Sequence, residues 1–192
     1  NFNEIYPSHQ DYHTPTLPTA KQFWPLAGKP VLKHSLDVFE ASPRISIIII
    51  VTSKANLTKV KKHFGGKKCH IVEGGENRQQ SVFAGLQAAA KLDVKSNFVA
   101  IHDASRPLLP SGLLECMLSS IDMTVAGVVP ALPISDTIVK VDKFTLVNEL
   151  LDRSHIRALQ TPQIFWRKLI TDLHQQFAST QKFTDDCGLV LA

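Results

Sequence analysis

Residues 45–51 read ISIIIIV, the longest apolar run in the chain. It is far shorter than the ~20 residues a membrane-spanning helix needs. It is also nearly all β-branched and has no polar alternation. A strand with one wet face alternates, so an unbroken run of this kind predicts a strand covered on both faces. That requirement excludes single-layer and one-faced sheets and calls for helices above and below.

The flanking sequence supplies them. GKPVLKHSLDVFEAS places Val31, Leu32, Ser35, Leu36 and Phe39 at helical spacing, with Pro30 suited to the first turn. NLTKVKKHF reads as a short amphipathic helix that Asn56 is placed to cap. CHIVEGG is a second strand ending in a diglycine. RQQSVFAGLQAAAKL is a helix with Val82, Leu86 and Ala89 on one face. FVAIHDA, SGLLECMLSSI and TVAGVVPAL follow as strand, helix and strand. The alternation predicts an α/β fold, a Rossmann-like doubly wound and mostly parallel sheet with helices on both faces. Beyond Leu132 the rhythm changes. DTIVKVDKFTLVNELLD gives two short alternating stretches around Asp142-Lys143, expected as a protruding β-arm. ALQTPQIF is extended, WRKLITDLHQQFAST is a helix with Leu169, Leu173 and Phe177 inward, and TDDCGLVLA starts another. Residues 1–20, rich in proline and without glycine, are expected to be irregular. With 192 residues and no repeat, one domain over 1–192 is expected.

Charge narrows the partners little. The net charge is +4, from 21 basic and 17 acidic residues. The densest basic cluster, Lys59, Lys61 and Lys62, has no aromatic interleaving, so it reads as a solvated helix face and no nucleic-acid partner is expected. The 3 cysteines are far apart and odd in number, which predicts buried reduced thiols. His34, His63, His102 and His155 share no ligand spacing. The N-terminus has no basic-then-apolar leader pattern, so a cytoplasmic protein with no membrane partner is expected.

Chemistry concentrates where the predicted strands end, the edge at which open α/β sheets bind ligands. Three polar clusters fall there: Glu73-Gly74-Gly75 through Arg78 and Ser81, His102-Asp103 through Arg106, and Ser135-Asp136-Thr137. Asp103 could hold a metal ion or a ribose hydroxyl, or simply cap a loop, and Arg106 could pair with it structurally. The diglycine permits close backbone approach by a ligand or by an ordinary turn. Lys21, taken alone, reads as a solvated lysine.

Six collinear stretches go further: AKQFWPLAGKPVLKHSL, VEGGENRQQSVFAGL, HDASRPLL, PISDTIVKVD, LLDRSHIRALQTPQIF and FTDDCGLVL. From Lys21 onward the chain resembles the 2-C-methyl-D-erythritol 4-phosphate cytidylyltransferase family. The resemblance implies transfer of CMP from CTP to a sugar-alcohol phosphate, with pyrophosphate released and Mg²⁺ as cofactor. It implies catalytic roles for Lys21 and Arg153, and nucleotide contacts from Gly74, Gly75, Ser81, Asp103, Ala104 and Arg106. Asp103 would be the metal ligand, and Asp136, Thr137, Arg153 and Thr161 would hold the second substrate. It also implies a homodimer through the 135–160 arm, with Arg153 acting from a neighbouring subunit.

Ribitol 5-phosphate cytidylyltransferase is similar across the same blocks, and an inactive or truncated non-catalytic homologue is the other alternative. The family's apolar first strand and arginine-bearing glycine-rich loop have no counterpart before Lys21, and its Asp-Asn-x-Lys segment has none before Ala192. The expected consequence is a pair of strands left without the central neighbour between them, with unpaired backbone groups costing ~1–3 kcal/mol each where buried.

Overall fold

A computed structural model describes residues 20–92, 95–179 and 183–192. The expectation of an irregular opening over 1–20 therefore lies outside the described residues up to position 19. A one-turn 3-10 helix at Lys21–Phe23 leads into a small antiparallel pair, β1 (Pro25–Leu26) and β2 (Lys29–Pro30). Helix α1 (Val31–Ala41) follows, and Pro30 is its N-cap, one position before the first turn. Strand β3 (Ile48–Thr52), helix α2 (Leu57–Phe64) and strand β4 (Cys69–Glu73) form a β-α-β unit. β3 and β4 pair in parallel from Ile48 opposite Cys69 to Thr52 opposite Glu73. Asn56 stands at the N-cap of α2, but its side chain bonds Ser53 Oγ at 3.0 Å and does not cap the helix.

Helix α3 (Arg78–Lys91) runs into β5 (Phe98–Ile101), and α4 (Ser111–Ser120) follows. The fourth predicted strand is two short ones, β6 (Gly127–Val128) and β7 (Ala131–Pro133). The arm forms as expected: β8 (Ile138–Val141) and β9 (Val147–Leu151) pair antiparallel around the Asp142-Lys143 turn. The chain returns through β10 (Arg157–Leu159), antiparallel to β7, and β11 (Gln163–Trp166). Helices α5 (Arg167–Gln176) and α6 (Asp186–Val190) complete the described chain.

The α/β layering holds, but the sheet is less parallel than expected. Among the described ladders only β3–β4 is parallel, while β11 lies between β5 and β6 and runs antiparallel to both. The reason is the connection. β11 is reached through the arm and β10, without the helical crossover that a parallel neighbour requires.

Layers on both faces show most clearly along β11. Ile164, fully buried, packs with Leu114, Met117 and Leu118 of α4. Phe165, the next residue and 1% exposed, packs on the opposite side with Leu86 of α3, Ile170 of α5 and Leu189 of α6. Burying each such side chain contributes ~1.5–3 kcal/mol. A third cluster joins Phe23, Leu32 and Leu36 to Ile50, Val60 and Cys69, under α1 and α2.

Two expectations need correction. The inward seam of α5 is Ile170 and His174, flanked by Leu173 and Phe177, while Leu169 is half-buried and outside the core cluster. His174 can sit there because α6 supplies a buried hydrogen-bond partner. The thiols are not all buried either: Cys69 is, Cys187 is half-buried, and Cys116 is exposed on the outer face of α4.

β3 pairs only with β4, and β5 only with β11, among the described residues. Their free edges, with Val82, Gly85 and Leu86 of α3, line one cavity of about 370 Å³. Among the described residues no further strand pairs with either edge. No described helix is long and apolar enough to cross a membrane.

Candidate active site

The mouth of that cavity is polar. Arg78 and Ser81, from the first turns of α3, meet His102, Asp103 and Ala104, which follow β5. Strand ends and a helix N-terminus converge because α3 connects β4 to β5 and returns to the same sheet edge.

The diglycine makes this approach possible. A β-carbon on Gly74 would lie 2.7 Å from Ser81 Oγ and 3.0 Å from Val51 Cγ1; one on Gly75 would lie 2.3 Å from Gln80 Cβ. Ordinary residues there would push α3 off the sheet. Asn77 caps α3, its side chain accepting from Gln80 N–H at 2.9 Å. Ser81 Oγ donates to the Asn77 carbonyl at 2.8 Å.

Asp103 is the hub. Its Oδ1 faces Arg78 Nε at 3.4 Å and its Oδ2 faces Arg106 Nε at 3.1 Å. Its backbone N–H donates to Thr161 Oγ1 at 3.2 Å. Arg106 also reaches Gln160 Oε1, so the turn after β5 is tied to the segment before β11.

His102 fits this hub as a brace. Its Nε2 lies 3.0 Å from the Arg106 carbonyl, which can only accept, so Nε2 carries the proton. Nδ1 is then free to accept from the Thr161 hydroxyl at 3.1 Å. Burial pushes this imidazole below its ordinary range, against the opposing pull of the Arg106 carbonyl and Asp103. A neutral ring with both nitrogens engaged is a structural link, and it is no free base.

Beneath the hub lies a group that the sequence did not single out. Asp186 is fully buried, accepts from His174 Nε2 at 2.8 Å, and meets Arg78 Nη2 at 2.7 Å. Burial by itself would raise this carboxyl, but the His174 hydrogen bond and the Arg78 charge outweigh it and hold it below the usual range. The only sequence signal was the acidic pair at the start of the last helix.

The second cluster lies at the base of the arm. Asp136 and Thr137 are exposed in the turn between β7 and β8. Arg153 Nη1 donates to the Ser135 carbonyl beside them, so the fold brings Arg153 to Asp136 and Thr137. Thr161 goes to Asp103 instead. Lys21 is exposed, and no hydrogen bond or ion pair joins it to Asp103 or Arg106 among the described residues. Its neighbours Ala20 and Phe23 nevertheless pack in the same cluster as Ala104. No three His, Cys, Asp or Glu side chains gather as a metal cage among the described residues.

Comparison with known proteins identifies the family. Residues 16–192 match the family described as IspD, 2-C-methyl-D-erythritol 4-phosphate cytidylyltransferase. The chain is 39% identical over 173 residues to the protein of that name from Symbiobacterium thermophilum, covering 90% of this chain and 72% of the relative. It is 37% identical to a bifunctional IspD/IspF enzyme of Wolbachia pipientis, of which it spans 44%. Among solved structures, 4-diphosphocytidyl-2C-methyl-D-erythritol synthase from Anaerococcus prevotii superposes with a TM-score of 0.76 at 28% identity, over 87% of this chain and 73% of that one. The chain belongs to the 2-C-methyl-D-erythritol 4-phosphate cytidylyltransferase family.

Proposed function

We propose that this chain transfers CMP from CTP to 2-C-methyl-D-erythritol 4-phosphate. A phosphate oxygen of the acceptor attacks the α-phosphorus of CTP. The bond from that phosphorus to the β-bridging oxygen breaks, and pyrophosphate leaves with the electron pair. The observation that carries this reading is the Asp103 hub, where the ends of β4 and β5 meet the first turn of α3.

Gly74, Gly75, Ser81 and Ala104 then take the nucleotide, where close backbone approach and a hydroxyl suit the edge of a base. Lys21 and Arg106 bring positive charge to the phosphates, which matters most as charge develops in the transition state. Asp136, Thr137 and Arg153 hold the acceptor, and Thr161 serves it by fixing the Asp103 turn. A single carboxylate suits Mg²⁺, which is commonly held by one or two carboxylates together with substrate phosphates. Asp103 would hold it, and the bound ion would neutralise phosphate charge.

The finer architecture belongs to the same proposal: a Rossmann-like doubly wound layout and a homodimer built on the arm. Phe144, Leu146, Val147 and Leu150 are each at least 63% exposed along one hairpin, an apolar surface that calls for a partner. A second copy covering it would bring Arg153 to the neighbour's site.

The test is pyrophosphate release by the purified chain with CTP, Mg²⁺ and methylerythritol phosphate, with ribitol 5-phosphate in parallel. Release with the first acceptor only is expected. Release with ribitol phosphate, or with neither from a folded chain, would reject the assignment. Arg153→Ala should raise KM for the acceptor about tenfold or more and leave CTP binding unchanged, the loss of one charge-assisted contact to phosphate.

A further inference from the structure

Asp103 is held from below as well as from its own loop. Arg78 stands between two carboxylates, its Nε 3.4 Å from Asp103 Oδ1 and its Nη2 2.7 Å from Asp186 Oδ2. A planar guanidinium can span two carboxylates in this way, and a lysine ammonium, a point charge on a flexible stem, cannot hold both in fixed directions.

The lower anchor is built to be rigid. Asp186 and His174 are both essentially inaccessible to water, at 0% and 1%. His174 Nε2 must donate to Asp186 Oδ1, since a carboxylate only accepts. Phe83 of α3 lies parallel to the imidazole and offset from it, with ring centroids 6.2 Å apart and planes 5° from parallel. The neighbouring Gln79 ties α3 to the end of α5 through the Phe177 carbonyl at 2.9 Å. Asp185, next to the anchor, accepts from Gln163 Nε2 at 3.1 Å and from Gly188 N–H at 2.9 Å, which fixes α6 to β11.

Two details point to charge fixing a direction, beyond generic packing. Asp186 Oδ2 is buried with no aligned hydrogen bond among the described residues, so its approach to Arg78 is an ionic contact. Among the described residues His174 Nδ1 likewise has no partner. The row Asp186–Arg78–Asp103–Arg106 alternates in sign, so two arginines face two aspartates. Remove one end and the remaining charges must redistribute, which a purely apolar support would not cause.

We propose that Arg78, anchored by Asp186 and His174, is a positioning residue that sets the direction of the Asp103 carboxylate. The α5–α6 layer, packed against Val82 and Leu86 of α3, is thereby coupled to the site. The kinetic consequence rests on the role proposed above for Asp103; the structural consequence does not.

The experiment is a set of variants of the whole chain: Asp186→Asn, His174→Gln and Arg78→Lys. Arginine Nε–H resonances are followed in two-dimensional ¹H–¹⁵N spectra without ligand, and pyrophosphate release is followed alongside. Asp186→Asn should move the signals of both Arg78 and Arg106, although no hydrogen bond or ion pair joins Arg106 to Asp186 among the described residues. It should lower kcat about tenfold and leave KM for CTP within about twofold, as loss of an outer support does when substrate contacts are intact. Arg78→Lys should keep neither the parental Arg106 signal nor the parental rate. Movement of the Arg78 signal alone, with Arg106 and kcat as in the parent, would overturn the proposal; so would parental turnover by Arg78→Lys. If the parent itself releases no pyrophosphate, the proposed activity fails separately and the Arg106 resonance alone decides this point. Should Asp186→Asn not fold, His174→Gln is read on the same two signals, and movement of only the Arg78 signal again overturns the coupling.

Discussion

The backbone N–H of Asp103 donates to the side chain of Thr161 at 3.2 Å, across 58 residues of sequence. Thr161 in turn donates to His102 Nδ1, and His102 Nε2 donates to the Arg106 carbonyl. The turn after β5 is thus closed by a residue that precedes β11, and the adjacency of those two strands is what permits it.

Thr161→Val should therefore act on the turn as a whole. It keeps the side-chain shape but leaves the Asp103 N–H without its acceptor and His102 Nδ1 without its donor. A stability loss of about 1–3 kcal/mol is expected, the cost of a partly buried donor left unpaired. Urea unfolding checks this, and pyrophosphate release should fall in parallel. Thr161→Ser, which keeps the hydroxyl, should recover most of both.

The arm gives a prediction about assembly. Phe144 and Leu150 are 68% and 71% exposed on the β8–β9 hairpin. Replacing both with glutamate should leave the monomer folded, since neither contributes to a described core cluster. Light scattering after gel filtration should show the parent as a dimer and the variant as a monomer. The variant should also lose the effect of Arg153 on acceptor binding.

Acid should destabilise the protein through Asp186. Its folded pKa lies below the ordinary value of 3.8, held there by His174 and Arg78 against the opposing effect of burial. A depressed carboxyl stabilises the fold above its unfolded pKa, and that contribution is lost as pH falls through the folded value. Thermal unfolding should show a midpoint that falls through Asp186 below about pH 4, added to the earlier decline below about pH 6.5 that the buried, depressed His102 imposes. Asp186→Asn should be less stable at neutral pH, by less than the ~3–5 kcal/mol of a fully buried broken pair because Arg78 is partly in water. Its acid decline should be shallower.

The thiols should separate by reactivity. Burial, reinforced by a contact to the Glu40 carboxylate, pushes the Cys69 thiol up to about 11. Cys116 is exposed. A thiol reagent at pH 8 should modify Cys116 at once and Cys69 only on unfolding, with the sites identified by mass spectrometry.

The arm hairpin and most of the helices were legible because each is written in local periodicity. The run ISIIIIV gave its own burial away, and Asp103, as a charged group, and the diglycine, as a point of close backbone approach, stood out at predicted strand ends. The direction of β11 was not legible, since direction follows from how the chain returns and not from the strand's residues. Arg78 lay within a noted cluster, but its two carboxylate partners come from positions 103 and 186, distant along the chain.

His174 shows the limit most plainly. Along α5 it reads as one polar residue beside Leu173, and nothing within one helix says that it faces inward. The sequence by itself determined most of the elements and the family, though not the covered face of α5. Only the tertiary structure decided that α6 places a carboxylate against His174 and that the same carboxylate reaches Arg78. Periodicity reports which face of an element is dry; it cannot report which other element makes it so.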